Sequence, residues 1–209
     1  MLELDHAFCF VDPDADWPSR LRENGWRLDD GIEHPGQGTR NRRLWMPEHY
    51  LELLWMSSRG DAETNPLRLD RRADWRTTGA CPFGVALRGE LTNRTAFWPY
   101  EPPYAPGATL WILRTEEAQP FVVVFDSTRE QIERYLPRNR FAATPHVFAH
   151  TRAASIRELR LQLPTAAPAL LRRVTPSIVT SFGPPRMEVV VGNVPGARLE
   201  ITPEFTLCG

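Results

Sequence analysis

The sequence of 209 residues predicts an α+β fold in which paired β-α-β-β-β modules form a cupped, mixed or antiparallel sheet with an inserted strand-rich segment. Short apolar runs with a two-residue alternation are typical of strands. Twenty prolines and seven tryptophans indicate many turns around a β-rich, aromatic-lined body. The order strand, helix, three strands occurs in residues 1–56 and again in residues 155–209. We therefore expect a single domain over residues 1–209, in which residues 57–154 supply connecting strands and loops.

The first module begins with an alternating strand over residues 2–11, which carries His6 and Phe8 on one face. Residues 12–14 end this strand and offer carboxylates that cap helices, so a short helix is predicted over residues 14–24. Three extended segments complete the module; they begin at Trp26, cover residues 41–46 and cover residues 50–56.

The connecting segment is predicted to begin with a surface loop and a short helical piece, because residues 57–80 are polar and charged. Aromatic residues alternate with prolines over residues 97–104, which predicts a stiff, extended loop that caps a cavity or a partner surface. The other elements expected here are strands at 83–88, 110–115 and 121–125 and a two-turn helix at 127–136.

The last module is expected to copy the first one. It combines an alternating strand at 156–163, a helix at 166–174 and three strands at 177–182, 186–191 and 198–202, with turns at 183–185 and 192–196. The spacing from Glu158 to Glu200 is close to the spacing from His6 to Glu52, which favours a duplicated module. Leucines alternate with Glu158, Arg160 and Gln162, a pattern that is also typical of a half-exposed strand.

Composition excludes several classes of partner. Arginine provides all 25 basic residues against 26 acidic ones, so no net charge favours nucleic acid or an anionic membrane. No apolar run approaches the length of a membrane span, and the N-terminus lacks the pattern of a secretory signal. Cys9, Cys81 and Cys208 are widely spaced, without metal-ligand spacing, which indicates structural thiols in a reduced, cytoplasmic protein.

The stretch from Glu33 to Met56 contains the strongest functional signal. Glu52 interrupts an apolar run, and a buried carboxylate needs a partner or a shifted pKa. His6 is one candidate partner, because the two residues either hydrogen-bond one another or serve as ligands of one divalent ion. A neutral imidazole and a carboxylate suit Zn, Mn, Fe or Ni.

A glycine-rich turn at residues 36–38 precedes the strand that contains Asn41. It either presents backbone N–H groups to an anionic ligand or is a simple hairpin turn. His146 and His150, four positions apart, are ligands on one helical face or part of a loop or strand edge. The candidate ligand-binding residues are His6, Phe8, His34, Thr39, Asn41, Arg42, Trp98 and Tyr100.

Three segments in order, LDHAF at 4–8, HPGQGTRN at 34–41 and YLELL at 50–54, resemble bacterial glyoxalase-like domain proteins of the vicinal oxygen chelate superfamily. This superfamily includes glyoxalase I, extradiol dioxygenases and bleomycin-resistance proteins. The resemblance implies curved sheets that cup a small-molecule site. In metal-dependent relatives, it also implies an ion held by the first-strand residue and the fourth-strand glutamate of each module.

The resemblance assigns His6, Glu52 and Glu200 to the metal, and the remaining ligand position falls near Glu158 or Arg160, where no histidine occurs. One function is a metal-dependent lyase, isomerase or dioxygenase acting on an oxygen-bearing substrate, in which Glu52 or Glu200 moves a proton. The alternatives are a metal-free binding or sequestering protein, with aromatic residues lining the cavity, and an uncharacterised scaffold that acts as a homodimer.

Overall fold

The structure, a computed structural model, describes residues 2–128, 130–131, 155–192 and 198–209. Eight strands form a first, cupped sheet. They are β1 (Glu3–Phe10), β2 (Glu33–His34), β3 (Thr39–Trp45), β4 (Tyr50–Met56), β5 (Phe83–Gly89), β6 (Phe97–Tyr100), β7 (Leu110–Leu113) and β8 (Phe121–Asp126).

The strand order in this sheet is β2-β3-β4-β1-β5-β8-β7-β6. The two halves, β1–β4 and β5–β8, share one pairing pattern, because the first and fourth strands of each half are parallel neighbours. β1 and β5 pair in antiparallel orientation and join the halves. Helix α1 (Trp17–Glu23) follows β1, whereas residues 90–96 connect β5 to β6 without a helix.

Residues 155–209 contribute a second sheet. Its strands, in the order β10-β9-β11-β13-β12, are β9 (Ile156–Leu163), β10 (Ser177–Phe182), β11 (Arg186–Val191), β12 (Arg198–Thr202) and β13 (Phe205–Cys208). The predicted fold class, a cupped α+β fold, is confirmed. The pairing of the modules was predicted wrongly, since β5–β8 and not the last module complete the first sheet. Alternation identifies a strand and its faces, but it carries little information about which distant strand pairs with it.

Several local elements also differ from the predictions. Residues 57–80 contain three short helices, and the helix expected at 166–174 is a 3-10 helix over Ala169–Arg173. β6 is a strand at the sheet edge, where Pro99 is tolerated because no further strand needs its missing N–H. β13 was not predicted. The short helices are α2 (Arg59–Thr64), α3 (Leu69–Ala73) and α4 (Trp75–Thr78).

Some predictions fall outside the described residues. These are most of the helix expected at 127–136, the histidines His146 and His150, and most of the turn at 192–196. Among the helices that the structure describes, none has the length and apolar character needed to cross a membrane.

The two faces of the first sheet pack differently. One face joins α1 and the second sheet in a shared core, in which Leu4, Leu53 and Val85 meet Trp17 and Leu159. The other face, called here the His6 face because β1 presents His6, Phe8 and Phe10 on it, carries a separate apolar cluster. Leu69 of α3 packs on that cluster. The candidate site lies on the His6 face.

Candidate functional site

A β-bulge shapes the start of β1. The register between β1 and β5 shifts between Leu4 and His6, so Asp5 is an extra residue. Leu4 is fully buried in the core of the opposite face, and Asp5 Oδ1 lies 2.7 Å from His6 Nδ1. Bulges redirect side chains and are frequent beside functional sites. The bulge therefore lets two consecutive residues belong to one polar network.

The parallel pairing of β1 with β4 brings Glu52 to His6. His6 Nε2 lies 3.4 Å from Glu52 Oε2, and the amide of Asn41 on β3 donates a hydrogen bond to Glu52 Oε1. The ring of Tyr50 stacks on His6 with a centroid distance of 4.1 Å. Its hydroxyl is 3.5 Å from His6 Nε2. The imidazole thus lies between two carboxylates and beneath an aromatic ring.

The electrostatics of this network favour a charged histidine. Burial alone disfavours the protonated imidazole, but hydrogen bonds to Asp5 and Glu52 outweigh burial and raise the pKa of His6 to about 9. Burial also opposes ionisation of both carboxylates, yet the neighbouring His6 keeps the pKa of Asp5 and of Glu52 below their ordinary values. At neutral pH the network therefore contains an imidazolium between two carboxylates.

Arg88 on β5 balances the remaining charge. Its side chain is buried, and Nη1 donates to Asp5 Oδ2 at 3.3 Å and to the Glu48 carbonyl at 3.0 Å. Asp5, Tyr50 and Arg88 were not among the predicted site residues. Asp5 and Tyr50 lie inside the segments LDHAF and YLELL, and Arg88 is a charged residue in the apolar run of β5, so a signal was present for each.

The glycine-rich turn is a hairpin between β2 and β3. The backbone N–H groups of Gln37 and Gly38 both donate to the His34 carbonyl, at 3.0 and 3.1 Å. His34 Nδ1 lies 2.8 Å from Thr39 Oγ1, and burial lowers the pKa of His34. Because these groups are used within the turn, they fit the hairpin interpretation and leave little for an anionic ligand.

The three predicted aromatic residues have different environments. Phe8 is buried and meets Phe121 edge-on, with ring centroids 6.0 Å apart. Tyr100 is buried, and its hydroxyl accepts a hydrogen bond from Asn65 and donates one to Gln37. Trp98 is half-buried beside Tyr100. Of the three, Trp98 is the one with surface left for a ligand.

Arg42 does not reach the His6 face. In the β3–β4 ladder Arg43 lies opposite Glu52, whereas Arg42 lies opposite Leu53, whose side chain belongs to the core of the other face. Successive residues of a strand point to opposite faces. Arg42 instead lines an outer cavity of about 530 Å³ together with Trp26. The sequence could not show which residues of β3 point to the His6 face, because this depends on where the strand begins and how it pairs.

Glu200 is not brought to His6 and Glu52. It is exposed on β12 of the second sheet, opposite Thr206. Arg160 is also exposed and makes ion pairs with Glu158 and, at 3.7 Å, with Glu188. The half-exposed strand predicted as the alternative for this segment therefore describes it correctly. The expected third metal ligand lies on a different sheet.

The residues present do not fit a complete metal site. His6 and Glu52 provide two donors, while β5 and β8, which correspond to β1 and β4 in the other half of the sheet, present Ala86, Val123 and Phe125 toward this face. Across the described ranges, no group of three or more His, Cys, Asp and Glu side chains could hold a metal ion. His6 is moreover engaged on both ring nitrogens.

Comparison with known proteins agrees with this fold. The family model described as a glyoxalase-like domain matches residues 4–141, a range that includes nearly all of the eight-stranded sheet. A hypothetical protein from Staphylococcus aureus is 11% identical, with 99% of each chain covered and a TM-score of 0.54, which shows the fold alone.

A hypothetical protein from Bacillus halodurans C-125 is 17% identical over 61% of this chain and 96% of that chain, with a TM-score of 0.41. No curated protein matches. Since the family model covers well over half of the sequence, and the segments that carry the resemblance form the network around His6, the chain belongs to the glyoxalase-like domain family of the vicinal oxygen chelate superfamily.

Proposed function

We propose that this protein binds a small, oxygen-bearing organic molecule on the His6 face of the eight-stranded sheet. The observation that carries the proposal is the largely buried network of Asp5, His6, Glu52 and Asn41. Removing several charges from water is costly even when they are paired, and perturbed ionisable groups cluster at functional sites. A charged network without a role in binding would only reduce the stability of the fold at this position.

The network offers both donors and acceptors to a ligand. The Glu52 side chain is 11% exposed and Tyr50 is half-buried, so both keep some surface for a ligand. Phe125 lies 6.0 Å from the His6 ring and supplies an apolar neighbour. A few polar groups among aromatic side chains are typical of small-molecule sites. This arrangement favours a ligand with an oxygen function and an apolar body.

The favoured form of this function is metal-free binding or sequestration. A metal-dependent lyase, isomerase or dioxygenase would use His6 and Glu52 as ligands of Zn, Mn, Fe or Ni, and among the residues that the structure describes the donor set stops at these two. A cation at this position would also compete with the proton on His6, whose pKa is raised to about 9. We therefore assign no step to a metal.

A proton-transfer enzyme is the second candidate. His6 is protonated and Glu52 is ionised at neutral pH, and the two groups face each other at 3.4 Å. An acid and a base with pKa values pushed apart are the pair that an isomerase or lyase needs. In this version Glu52 removes a proton from the bound molecule, and the Nε2–H of His6, which faces Glu52 without a ligand, donates its hydrogen bond instead to the oxygen that gains charge.

Thermal-shift screening of the full chain against aromatic and dicarbonyl compounds tests binding, because a ligand that binds the native state raises the unfolding temperature. We expect the active compounds to stabilise the wild type and the Glu200→Gln control, and to lose their effect in Glu52→Gln. Stabilisation that survives in Glu52→Gln would place binding elsewhere. A screen without any shift would contradict the proposal.

Elemental analysis separates the metal-free version from the metal-dependent one. Protein purified without a chelator or a histidine tag is incubated with Zn, Mn, Fe and Ni and then desalted. We expect no stoichiometric metal; metal that is retained by the wild type and lost in His6→Ala would establish the metal-dependent version.

The homodimer and the cytoplasmic location stay predictions from the sequence. Light scattering of the purified protein tests the homodimer.

A further inference from the structure

A second cavity lies away from the His6 network, between the two sheets. Its volume is about 520 Å³, which is within the range of small-molecule sites. It is bounded by the ends of β1 and β4, by the corner between α3 and α4, and by the turn between β12 and β13. We call it the inter-sheet cleft. Family membership does not account for it, because the family match ends at residue 141 and the cleft needs residues 201–204.

Aromatic and apolar side chains form the walls of this cleft. Trp55 and Met56 come from the end of β4, Phe10 from the end of β1, and Trp75 from α4. Trp55 is held by Trp17, with ring centroids 6.2 Å apart. Indole rings supply large, flat contact surfaces that lose little conformational freedom on binding. The walls therefore suit a planar, apolar molecule.

The charged side chains that line the cleft are three carboxylates and two guanidinium groups, those of Asp12, Asp74, Glu204, Arg20 and Arg76. Asp74 receives two hydrogen bonds from Arg59, at 2.7 and 3.1 Å, and Arg20 donates to the Ile201 carbonyl at 2.6 Å. Arg76 binds Glu204 at 3.0 Å. A ligand anion would have to compete with Glu204 for Arg76 and would meet more carboxylates than guanidinium groups in the lining. The charge distribution consequently disfavours anions and favours an uncharged ligand.

The Arg76–Glu204 pair crosses the cleft from α4 to the β12–β13 turn. The Arg76 side chain is 64% exposed and its guanidinium also lies 4.4 Å from the centroid of the Trp75 ring. Ion pairs with this much exposure contribute little to stability, so opening this contact is easy. This contact is therefore only a weak barrier to a ligand that enters the cleft.

We propose that the inter-sheet cleft is a second ligand site, which takes an uncharged aromatic molecule between Trp55 and Trp75. This inference goes beyond the function proposed for the His6 face and does not depend on it. Two-ring aromatic compounds offer flat apolar faces to the tryptophan rings, and 1-naphthol and 1-naphthoate form a pair of probes that differ in charge but hardly in size.

Calorimetric titration of the full chain with each probe tests the proposal. We expect 1-naphthol to bind saturably and 1-naphthoate to bind at least about tenfold more weakly. Ala15→Trp fills the cleft from its exposed rim, and Trp75→Ala removes a wall. Both variants should weaken 1-naphthol binding by about tenfold or more. Trp98→Ala, on the His6 face, is the matched control and should leave this binding unchanged.

Three results would overturn the proposal. They are no saturable 1-naphthol binding up to about 1 mM, equal binding of the two probes, and binding that survives in both cleft variants. Loss of binding in Trp98→Ala with retention in Ala15→Trp would assign the probe to the His6 face instead. Because Ala15 is exposed, this variant is expected to fold, and its thermal unfolding midpoint checks that expectation.

Discussion

Asp5 and His6 are adjacent in the sequence, and a hydrogen bond of 2.7 Å joins Asp5 Oδ1 to His6 Nδ1. Consecutive residues of a regular strand point to opposite faces of the sheet. The bulge after Leu4 removes this restriction, and Arg88 of the neighbouring strand then holds the second oxygen of Asp5. The Asp-His pair thus works as a unit in which Asp5 orients the ring and sets its charge.

Replacing this carboxylate should change the titration of His6. In Asp5→Asn we expect the pKa of His6 to fall from about 9 toward its ordinary value of 6.5, because one of its two anionic partners is lost. NMR titration of the His6 ring proton measures the change. Asp74→Asn, which removes a carboxylate paired with Arg59, is the control and should leave His6 unaltered. An unchanged His6 pKa in Asp5→Asn would contradict the assigned role.

Stability should fall on the alkaline side because of His6. A pKa raised from 6.5 to about 9 means that its stabilising contribution is complete below about pH 6.5 and is lost as the pH rises through about 9. The loss is about 3 kcal/mol at most. Urea unfolding across this interval measures it. The decline should be clearly smaller in His6→Gln, and an equal decline in both proteins would rule His6 out as its source.

His49 should produce the opposite slope on the acid side. Burial and the nearby Arg88 lower the pKa of His49 to about 4, and its Nδ1 lies 2.5 Å from Ser155 Oγ. The folded protein keeps this ring neutral. Its contribution to the free energy of unfolding is therefore present above about pH 6.5 and is lost as the pH falls toward 4.

We expect this loss to reach about 3 kcal/mol. The stabilising contributions of Asp5 and Glu52 also decrease as the pH falls. The informative quantity is therefore the difference in unfolding free energy between the wild type and His49→Gln. The variant should show the flatter profile between about pH 6.5 and 4.5. Parallel stability profiles of the two proteins would mean that His49 has the same pKa in the folded and the unfolded state.

Two glutamates lie in contrasting environments, one in the His6 network and one at an exposed position of the second sheet. Glu52→Gln removes the charge opposite His6 and should cost about 1–3 kcal/mol of unfolding free energy, because a buried imidazolium loses a partner. Glu200→Gln, at an exposed position, should stay within about 0.5 kcal/mol of the wild type. Chemical denaturation measures both values, and equal costs would argue against the different environments described for them.

Two glycines share a backbone conformation but differ in the space around them, so alanine variants of the two measure how much steric crowding reduces stability. Gly38 has a φ of +77°, and a Cβ there would lie 2.2 Å from the Ser58 carbonyl oxygen and 2.6 Å from the Ala62 nitrogen. Gly79 has a φ of +72° and open space around it. Both alanine variants bear the cost of a positive φ, about 1 kcal/mol.

We therefore expect Gly38→Ala to be destabilised by at least about 2 kcal/mol more than Gly79→Ala, since backbone atoms cannot move aside. Thermal or urea unfolding of the two variants gives the difference directly. Similar losses would show that the turn shifts to accommodate the extra methyl group.

Local patterns in the sequence determined most of the strands and singled out the neighbours His6 and Glu52. Alternation located β1 and β9, and short apolar runs located β4 and β5. The odd carboxylate in an apolar run identified Glu52, whose neighbour His6 followed from the family resemblance. These inferences succeeded because burial and side-chain parity depend on residues that are close in the chain.

Only the tertiary structure decided which strands share a sheet. β5–β8 complete the first sheet and the last module forms its own, which separates Glu200 from Glu52 and places Arg42 on the opposite face. Strand partners are chosen by contacts across many residues, and a bulge shifts parity without a clear sequence mark. For the same reason Arg88, distant in sequence, emerged as the neighbour of Asp5 only in the folded sheet.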